Sequence, residues 1–171
     1  MADGYRYPGG LTSGDFADGN TSAGWQPSNF AYGSKITIDA NGTVTSMGVR
    51  GDGDGGTSKN IKIALFDSAG NLVDSGTLVL PASPLDWVDT GTLSIAVTTG
   101  THYVLVSADN DNTRYGYSST ANGIGETVAY ASFPPSSIST TEDETGTLFG
   151  VRLFLVESAT RKPTMALLGA G

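Results

Sequence analysis

The stretch that decides the fold is NIKIALFDSAGNLVDSGTLVL, residues 60–80. Its first half alternates: Ile61, Ile63 and Leu65 fall on one face of a strand, and Lys62 and Ala64 fall on the other. The letters SAGN at 68–71 are typical of a tight turn, and the apolar residues of 72–80 resume a strand. The sequence therefore predicts a β-hairpin that has one face in a core.

Short apolar runs separated by turn residues continue on both sides of this hairpin. Asn41-Gly42 separates strands predicted over 35–38 and 43–49 and is a strong hairpin signal. A Thr-Thr-Gly turn at 98–100 predicts another hairpin, between 93–97 and 102–107. Further strands are predicted at 87–88, 114–117, 126–133 and 148–157.

About nine short strands predict an all-β fold, an antiparallel two-sheet β-sandwich that is jelly-roll-like. One sheet of that many strands would leave a large apolar face in water. An immunoglobulin-like strand order is the alternative, because strand order depends on the long connections. Residues 34–157 are predicted to form the sandwich, 1–33 an extended N-terminal arm anchored by Trp25 and Phe30, and 158–171 a C-terminal tail docked on a partner or on the domain.

The amino-acid composition limits the classes of function that this protein can have. The 171 residues suit a single domain, and with no cysteine the fold has no disulfide framework. Nine Lys and Arg against 17 Asp and Glu give a net charge of −8, which would repel a phosphate backbone and argues against nucleic acid as a partner. The first ten residues lack the apolar segment of a signal peptide, and no run approaches the roughly 20 apolar residues of a membrane span. We expect a chain made in a host cytoplasm that does not enter a membrane.

Two blocks, IKIALFDSAGNLVDSGTLVL at 61–80 and DWVDTGTLSIAVTTGTHYVLVSA at 86–108, carry a resemblance. Their order of strand, Gly turn, strand, Trp, strand, Gly turn and aromatic strand resembles non-catalytic β-sandwich modules. These are the decoration, tail and fibre proteins of phage virions and the carbohydrate-binding modules. The resemblance covers less than a third of the chain and supports the fold more than a function, and it assigns no binding residue.

Two acidic loops contain the candidate metal ligands. Asp52 and Asp54 in the first loop, with Asp109 and Asp111 in the second, offer carboxylate oxygens to Ca²⁺ if the two loops meet. The later Glu of a complete Ca²⁺ loop is missing, so a solvated Gly-Asp hairpin is the favoured alternative. Residues 50–52 also spell the Arg-Gly-Asp tripeptide of integrin ligands. A match over only three residues often arises by chance.

Aromatic side chains are the candidate ligand-binding residues. Tyr115 and Tyr117 stand at i and i+2 beside acidic and amide groups, the composition of a platform on which sugar rings stack. Burial of both rings in the core is the favoured alternative. Trp87 and Tyr130 are further candidates for an exposed pair.

Catalytic sets are scarce in the sequence. His102 is the only histidine, so a single chain cannot assemble a multi-histidine metal site. The run Glu142-Asp143-Glu144 could in principle supply the two carboxylates of a glycosidase, but a solvated acidic loop tip is the simpler interpretation. We expect no enzymatic activity and no cofactor other than the calcium considered above.

These observations favour a structural virion protein of a phage-like particle, either a capsid decoration or stabilising protein or a small tail or fibre component. Its expected partners are copies of itself and other virion proteins such as the major capsid protein, and its expected location is the virion. A carbohydrate-binding module or adhesin domain is the alternative. The predicted interface residues are Phe154, on the outward face of the last strand, and Met165, Leu167 and Leu168 in the apolar tail.

Overall fold

A computed structural model describes residues 3–16, 18–19, 29–53, 56–109 and 113–158. The fold is all-β with antiparallel pairing throughout, as predicted, and short 3₁₀ turns at Pro8–Gly10, Ser13–Phe16 and Tyr130–Ser132 interrupt it. The strands are β1 (Gly4–Arg6), β2 (Asp18–Gly19), β3 (Phe30–Ile38), β4 (Gly42–Asp52), β5 (Lys59–Phe66), β6 (Leu72–Leu80), β7 (Asp86–Asp89), β8 (Ile95–Val97), β9 (Gly100–Ala108), β10 (Arg114–Ser118), β11 (Ile124–Thr127), β12 (Leu148–Phe149) and β13 (Val151–Glu157).

The strands form two sheets that pack face to face. The larger sheet has the order β1-β13-β4-β10-β12, with β2 beside β10 and with β7 and β8 beside β4. The smaller sheet has the order β11-β3-β9-β5-β6. The chain therefore crosses repeatedly from one sheet to the other, and each sheet combines strands that are distant in sequence.

The main core lies between the sheets and follows from the alternation of the strands. Ile61, Ile63 and Leu65 are buried in it, as the pattern of residues 60–67 predicts. Val151 and Leu153 of the last strand lie in the same core. A second cluster covers the outer face of the smaller sheet, where Ala31, Ala64, Phe66, Tyr103, Leu105, Ile124 and Phe133 are buried.

Lys62 lies on the outward face of β5 and binds the segment that covers this second cluster. Its Nζ donates to the backbone oxygens of Tyr130 at 2.7 Å and Phe133 at 3.1 Å, and it lies 4.5 Å from the centre of the Tyr130 ring. The 3₁₀ turn over Tyr130–Ser132 stands where the sequence predicts the end of a strand over 126–133. That prediction was too long, because β11 ends at Thr127 and the chain then folds back over the sheet.

Two of the three predicted hairpins are wrong. The β5–β6 hairpin is confirmed over its whole length. The turn at Asn41-Gly42, however, joins β3, which pairs with β9 and β11, to β4, which pairs with β13. The turn at 98–100 likewise joins β8 of one sheet to β9 of the other. In both places, consecutive strands face each other across the core, which buries the same alternating apolar residues as a side-by-side pair would.

The described part of the predicted N-terminal arm packs on the sandwich itself. β1 extends the larger sheet at β13, Phe16 is fully buried, and β2 pairs with β10. β3 begins at Phe30, four residues before the predicted start of the sandwich, and Phe30 packs against the core as predicted. Trp25 lies outside the described residues, as does the tail after Ser158 with Met165, Leu167 and Leu168.

Candidate functional site

The N-terminal arm is held on the larger sheet at β13. β1 pairs with β13 in an antiparallel register that sets Tyr5 opposite Phe154. Arg6 donates to the carboxylate of Asp39 at 2.6 Å and to that of Glu157 at 2.8 Å. A strand of only three residues is thus fixed mainly by its side chains, since so short a ladder has few backbone bonds to offer.

An aromatic cluster lies beneath the arm, on the outer face of the larger sheet. The Tyr7 and Trp87 rings meet edge to face at 5.5 Å, and the buried Phe16 ring meets Trp87 at 5.9 Å. The Tyr5 ring packs edge to face on Phe154 at 5.0 Å. We call this group, with Arg152 and Asp89, the arm cluster: Tyr5, Tyr7, Phe16, Trp87, Asp89, Arg152 and Phe154.

A charged pair lies inside the arm cluster. The Arg152 guanidinium is 4.0 Å from the centre of the Tyr5 ring and 4.6 Å from that of Trp87. It donates two hydrogen bonds to Asp89, at 2.8 and 2.5 Å, and the Tyr5 hydroxyl donates to the same carboxylate at 3.0 Å. Arginine suits this position because its planar group can stack on rings and bind a carboxylate at two points.

The pKa shifts in the arm cluster follow from these contacts. Burial, and then the hydrogen bond to Asp89, raises the pKa of the Tyr5 phenol. Burial opposes the charge of Arg152, but the hydrogen bond and the charge of Asp89 outweigh that effect and raise the pKa of the guanidinium. Arg152 therefore stays charged throughout the range in which proteins are folded.

A shallow cavity of about 280 Å³ opens beside the arm. Arg6, Thr37 and Asp39 contribute polar residues to its lining, and Tyr5 and Tyr7, whose rings pack against Phe154 and Trp87, also border it. Gly10 and Leu11 complete the lining. The cavity is thus bordered by both polar and aromatic residues.

Two of the predicted interface residues belong to the arm cluster. Trp87 and Phe154 are both half-buried, and the side chains that cover them come from the N-terminal arm of the same chain. Phe154 does face away from the core residues of β13, as the alternation of that strand predicts.

Tyr115 and Tyr117 do not form an exposed platform. Tyr115 is buried in the core, where burial raises the pKa of its phenol far above the ordinary value, and its hydroxyl has no hydrogen-bond partner among the described residues. Tyr117 is half-buried. Burial, the favoured alternative in the sequence, is therefore the outcome for Tyr115.

The described ends of the two acidic loops meet where β4 and β10 pair with Asp52 opposite Arg114, but their described carboxylates bind protein groups. Asp52 is fully buried and is ion-paired with Arg114, which donates to it through Nε at 2.7 Å. Asp109 accepts a hydrogen bond from the Asn60 amide at 2.7 Å. Within the described ranges, no group of three or more His, Cys, Asp or Glu side chains could hold a metal ion, and Asp54 and Asp111 lie outside those ranges.

The remaining candidates also occupy structural positions. Residues 50–52 lie in β4 with Asp52 buried, so the Arg-Gly-Asp tripeptide is not displayed on a loop. His102 is buried, and its Nδ1 lies 3.4 Å from the Gly100 oxygen of the same strand. In the acidic loop, Glu142 forms an ion pair with Lys35, and Asp143 accepts the N–H of Gly125 at 3.0 Å.

Sequence reasoning missed five residues of the arm cluster as site residues: Tyr5, Tyr7, Phe16, Asp89 and Arg152. A signal was present in the Tyr-x-Tyr spacing at 5–7 and the Arg-x-Phe spacing at 152–154, because each spacing places two side chains on one face of a strand. Nothing in the sequence, however, indicates that these two faces meet across 150 residues of chain.

Comparison with known proteins adds no family to this picture. No protein-family model matches the chain, and no curated protein is similar to it in sequence. Across the described residues, the structure contains no helix with the length and apolar character that crossing a membrane requires.

Proposed function

We propose that this protein is a structural component of a phage-like particle, either a capsid decoration or stabilising protein or a small tail or fibre component, that works by protein–protein contacts. The observation that carries the proposal is the N-terminal arm, which docks on the sandwich as an added strand with an aromatic cluster beneath it. An arm that docks by strand addition can use the same groove on a neighbouring copy, which is a common way for identical subunits to interlock.

The chemistry of the arm suits such an exchange. The arm is joined to β13 by a three-residue strand and by ion pairs from Arg6 to Asp39 and Glu157. All these partners are present on every copy, so an arm placed on a neighbour would make the same contacts. The net charge of −8 keeps free copies soluble before they assemble.

An engineered disulfide tests whose arm occupies the groove. The chain has no cysteine, so Tyr5→Cys with Phe154→Cys introduces one pair of thiols at positions that face each other across β1 and β13. Arms exchanged between copies give a covalent dimer or larger ring on a non-reducing gel. An arm that docks on its own chain gives a cross-linked single chain instead. The single variant Tyr5→Cys is the control for random oxidation.

The particle hypothesis has a direct test in the source culture. Particles released by lysis are banded by density, labelled with gold-conjugated antibody against this chain, and viewed by electron microscopy. We expect regularly spaced label on the particles and a fixed ratio of this chain to the main shell protein. Recovery of the chain only in the particle-free fraction would exclude the proposal.

A carbohydrate-binding module is the second candidate, and the cavity beside the arm favours it. Arg6, Thr37 and Asp39 line this cavity and carry groups that bind sugar hydroxyls, and Tyr7 lines it as well. A glycan array with the wild-type protein and Tyr7→Ala tests this function. Retained binding to a defined glycan that the variant loses would support it, and no binding on the array by the wild type would remove it.

A further inference from the structure

The cavity beside the arm lies where the last strand ends. β13 ends at Glu157, whose carboxylate accepts a hydrogen bond from Arg6, a residue that lines the cavity. The N–H of Ser158, the next residue, donates to the backbone oxygen of Asn41 at 2.9 Å. Asn41 follows closely after Asp39, which also lines the cavity. The chain after Ser158 therefore continues from a point beside this cavity.

The cavity has room for an apolar side chain. Its volume is about 280 Å³, and an engineered cavity of about 150 Å³ is large enough to hold benzene. Tyr5 and Leu11 give its border an apolar part, and Tyr5 is 38% exposed. Gly10 contributes no side chain, and no heavy atom lies within 4 Å of the position that a Cβ would take there. The apolar part of the border is therefore open to a further group.

The C-terminal tail carries such groups within reach. Its apolar run, Met165-Ala166-Leu167-Leu168, is separated from Ser158 by residues 159–164. A segment of six residues spans up to about 20 Å, and connections of this length are common between packed elements. The apolar run can therefore fold back to the cavity, where its side chains leave water.

Charge favours the same docking. A basic pair, Arg-Lys at 161–162, precedes the apolar run. Where the tail begins, Arg6 is bound by the carboxylates of Asp39 and Glu157. A third carboxylate, that of Asp3, accepts the N–H of Glu157 at 2.9 Å. The described side chains at this point are thus more acidic than basic, and the 40% exposed side chain of Asp39 can meet a further cation.

We infer that the C-terminal tail docks in the cavity beside the N-terminal arm of its own chain, with the apolar run inside and the basic pair against Asp39. The tail of the same chain is favoured over that of a second copy, because its tether gives it a high effective concentration at the cavity. The inference goes beyond both functions proposed above and depends on neither. A docked tail would have to leave the cavity before a sugar could enter it.

Engineered disulfides test this docking in the full-length chain, which has no cysteine of its own. Thr37 is an exposed residue of β3 that lines the cavity, so Thr37→Cys with Leu167→Cys places one thiol at the cavity and one in the apolar run. The matched control is Ala96→Cys with Leu167→Cys. Ala96 is also exposed, and it lies on β8, which flanks the start of β4 on the side away from β13 and the arm.

Disulfide formation is followed on non-reducing gels and by mass spectrometry of digested protein. We expect the Thr37 pair to close within one chain at least about ten times faster than the Ala96 pair, because docking raises the effective concentration of the tail thiol at the cavity. Adding R161E/K162E should slow closure of the Thr37 pair by about threefold or more, since exposed ion pairs contribute modestly.

Circular dichroism confirms that each variant is folded. Equal rates for the Thr37 and Ala96 pairs would overturn the inference, because a tail that does not dock meets both thiols at similar rates. A rate that R161E/K162E leaves unchanged would overturn it as well. A disulfide that joins two chains would also contradict it, since the occupant of the cavity would then be the tail of a second copy.

Discussion

The ion pair inside the arm cluster gives the sharpest prediction for stability. Arg152 donates two hydrogen bonds to Asp89 and lies between the Tyr5 and Trp87 rings. The side chain of Arg152 is 11% exposed and that of Asp89 is 25% exposed. Asp89→Ala would leave a nearly buried guanidinium without its carboxylate, whereas Arg152→Met would leave a carboxylate that water can reach.

For this reason, the two substitutions are expected to lower the free energy of unfolding by different amounts. Removing one partner of a fully buried pair costs about 3–5 kcal/mol, and the partial exposure of Asp89 lowers the expected cost of Asp89→Ala to about 2–3 kcal/mol. Arg152→Met keeps the length of the side chain but loses two contacts with rings, each of about 0.5–1 kcal/mol, so we expect a loss of about 1–2 kcal/mol. In the double variant the uncompensated charge is gone, so the two losses should overlap by about 1.5 kcal/mol.

Urea unfolding at neutral pH, followed by tryptophan fluorescence, measures all four members of this cycle. Asp39→Ala is the control, because Asp39 also binds an arginine but its side chain is 40% exposed, and exposed pairs contribute about 0–1 kcal/mol. A coupling energy between Asp89 and Arg152 below about 0.5 kcal/mol would show that the guanidinium is solvated and would refute the reasoning.

Three further predictions concern single residues. Gly33→Ala should cost about 3 kcal/mol or more in urea unfolding, because its Cβ would overlap a backbone oxygen of β9, whereas Gly91→Ala, with open space around it, should change stability by about 0.5 kcal/mol or less. Burial, followed by the charge of Asp143, raises the pKa of Glu144. The stability that the protonated carboxyl contributes is therefore lost as pH rises through that pKa. Glu144→Gln should become more stable relative to the wild type between about pH 4 and pH 7. Hydrogen bonds from the 69–71 turn lower the pKa of Asp67, so Asp67→Asn should lower the thermal midpoint at neutral pH by a margin that disappears as pH falls through that pKa. An unchanged margin across pH would contradict either of these last two predictions.

Local pattern was sufficient to predict most of the strands between residues 34 and 157 and the faces of those strands that are buried. The alternation of Ile61, Ile63 and Leu65 predicts one buried face, and the SAGN turn predicts the β5–β6 hairpin, which is confirmed. Both features depend on residues within about ten positions of each other, so the sequence contains them directly.

Pairing between distant strands could not be predicted from local sequence pattern. The turn at Asn41-Gly42 has hairpin chemistry, yet it carries the chain from one sheet to the other, because a turn fixes the reversal of the chain and not the neighbour that completes the ladder. The arm cluster could not be predicted from the sequence for the same reason. It depends on β1 reaching β13 across 150 residues, and neither segment alone shows a reason to meet the other.

The sequence by itself determined the all-β class, the position of most strands and the side of each strand that is buried, since these follow from a period of two and from turn residues. Only the tertiary structure decided which strands are neighbours, that Tyr115 is buried while Val79 is exposed, and that Arg152 meets Asp89 between two rings. Exposure and charge pairing depend on what covers a strand, and in this protein the covering segment is usually far away in the chain.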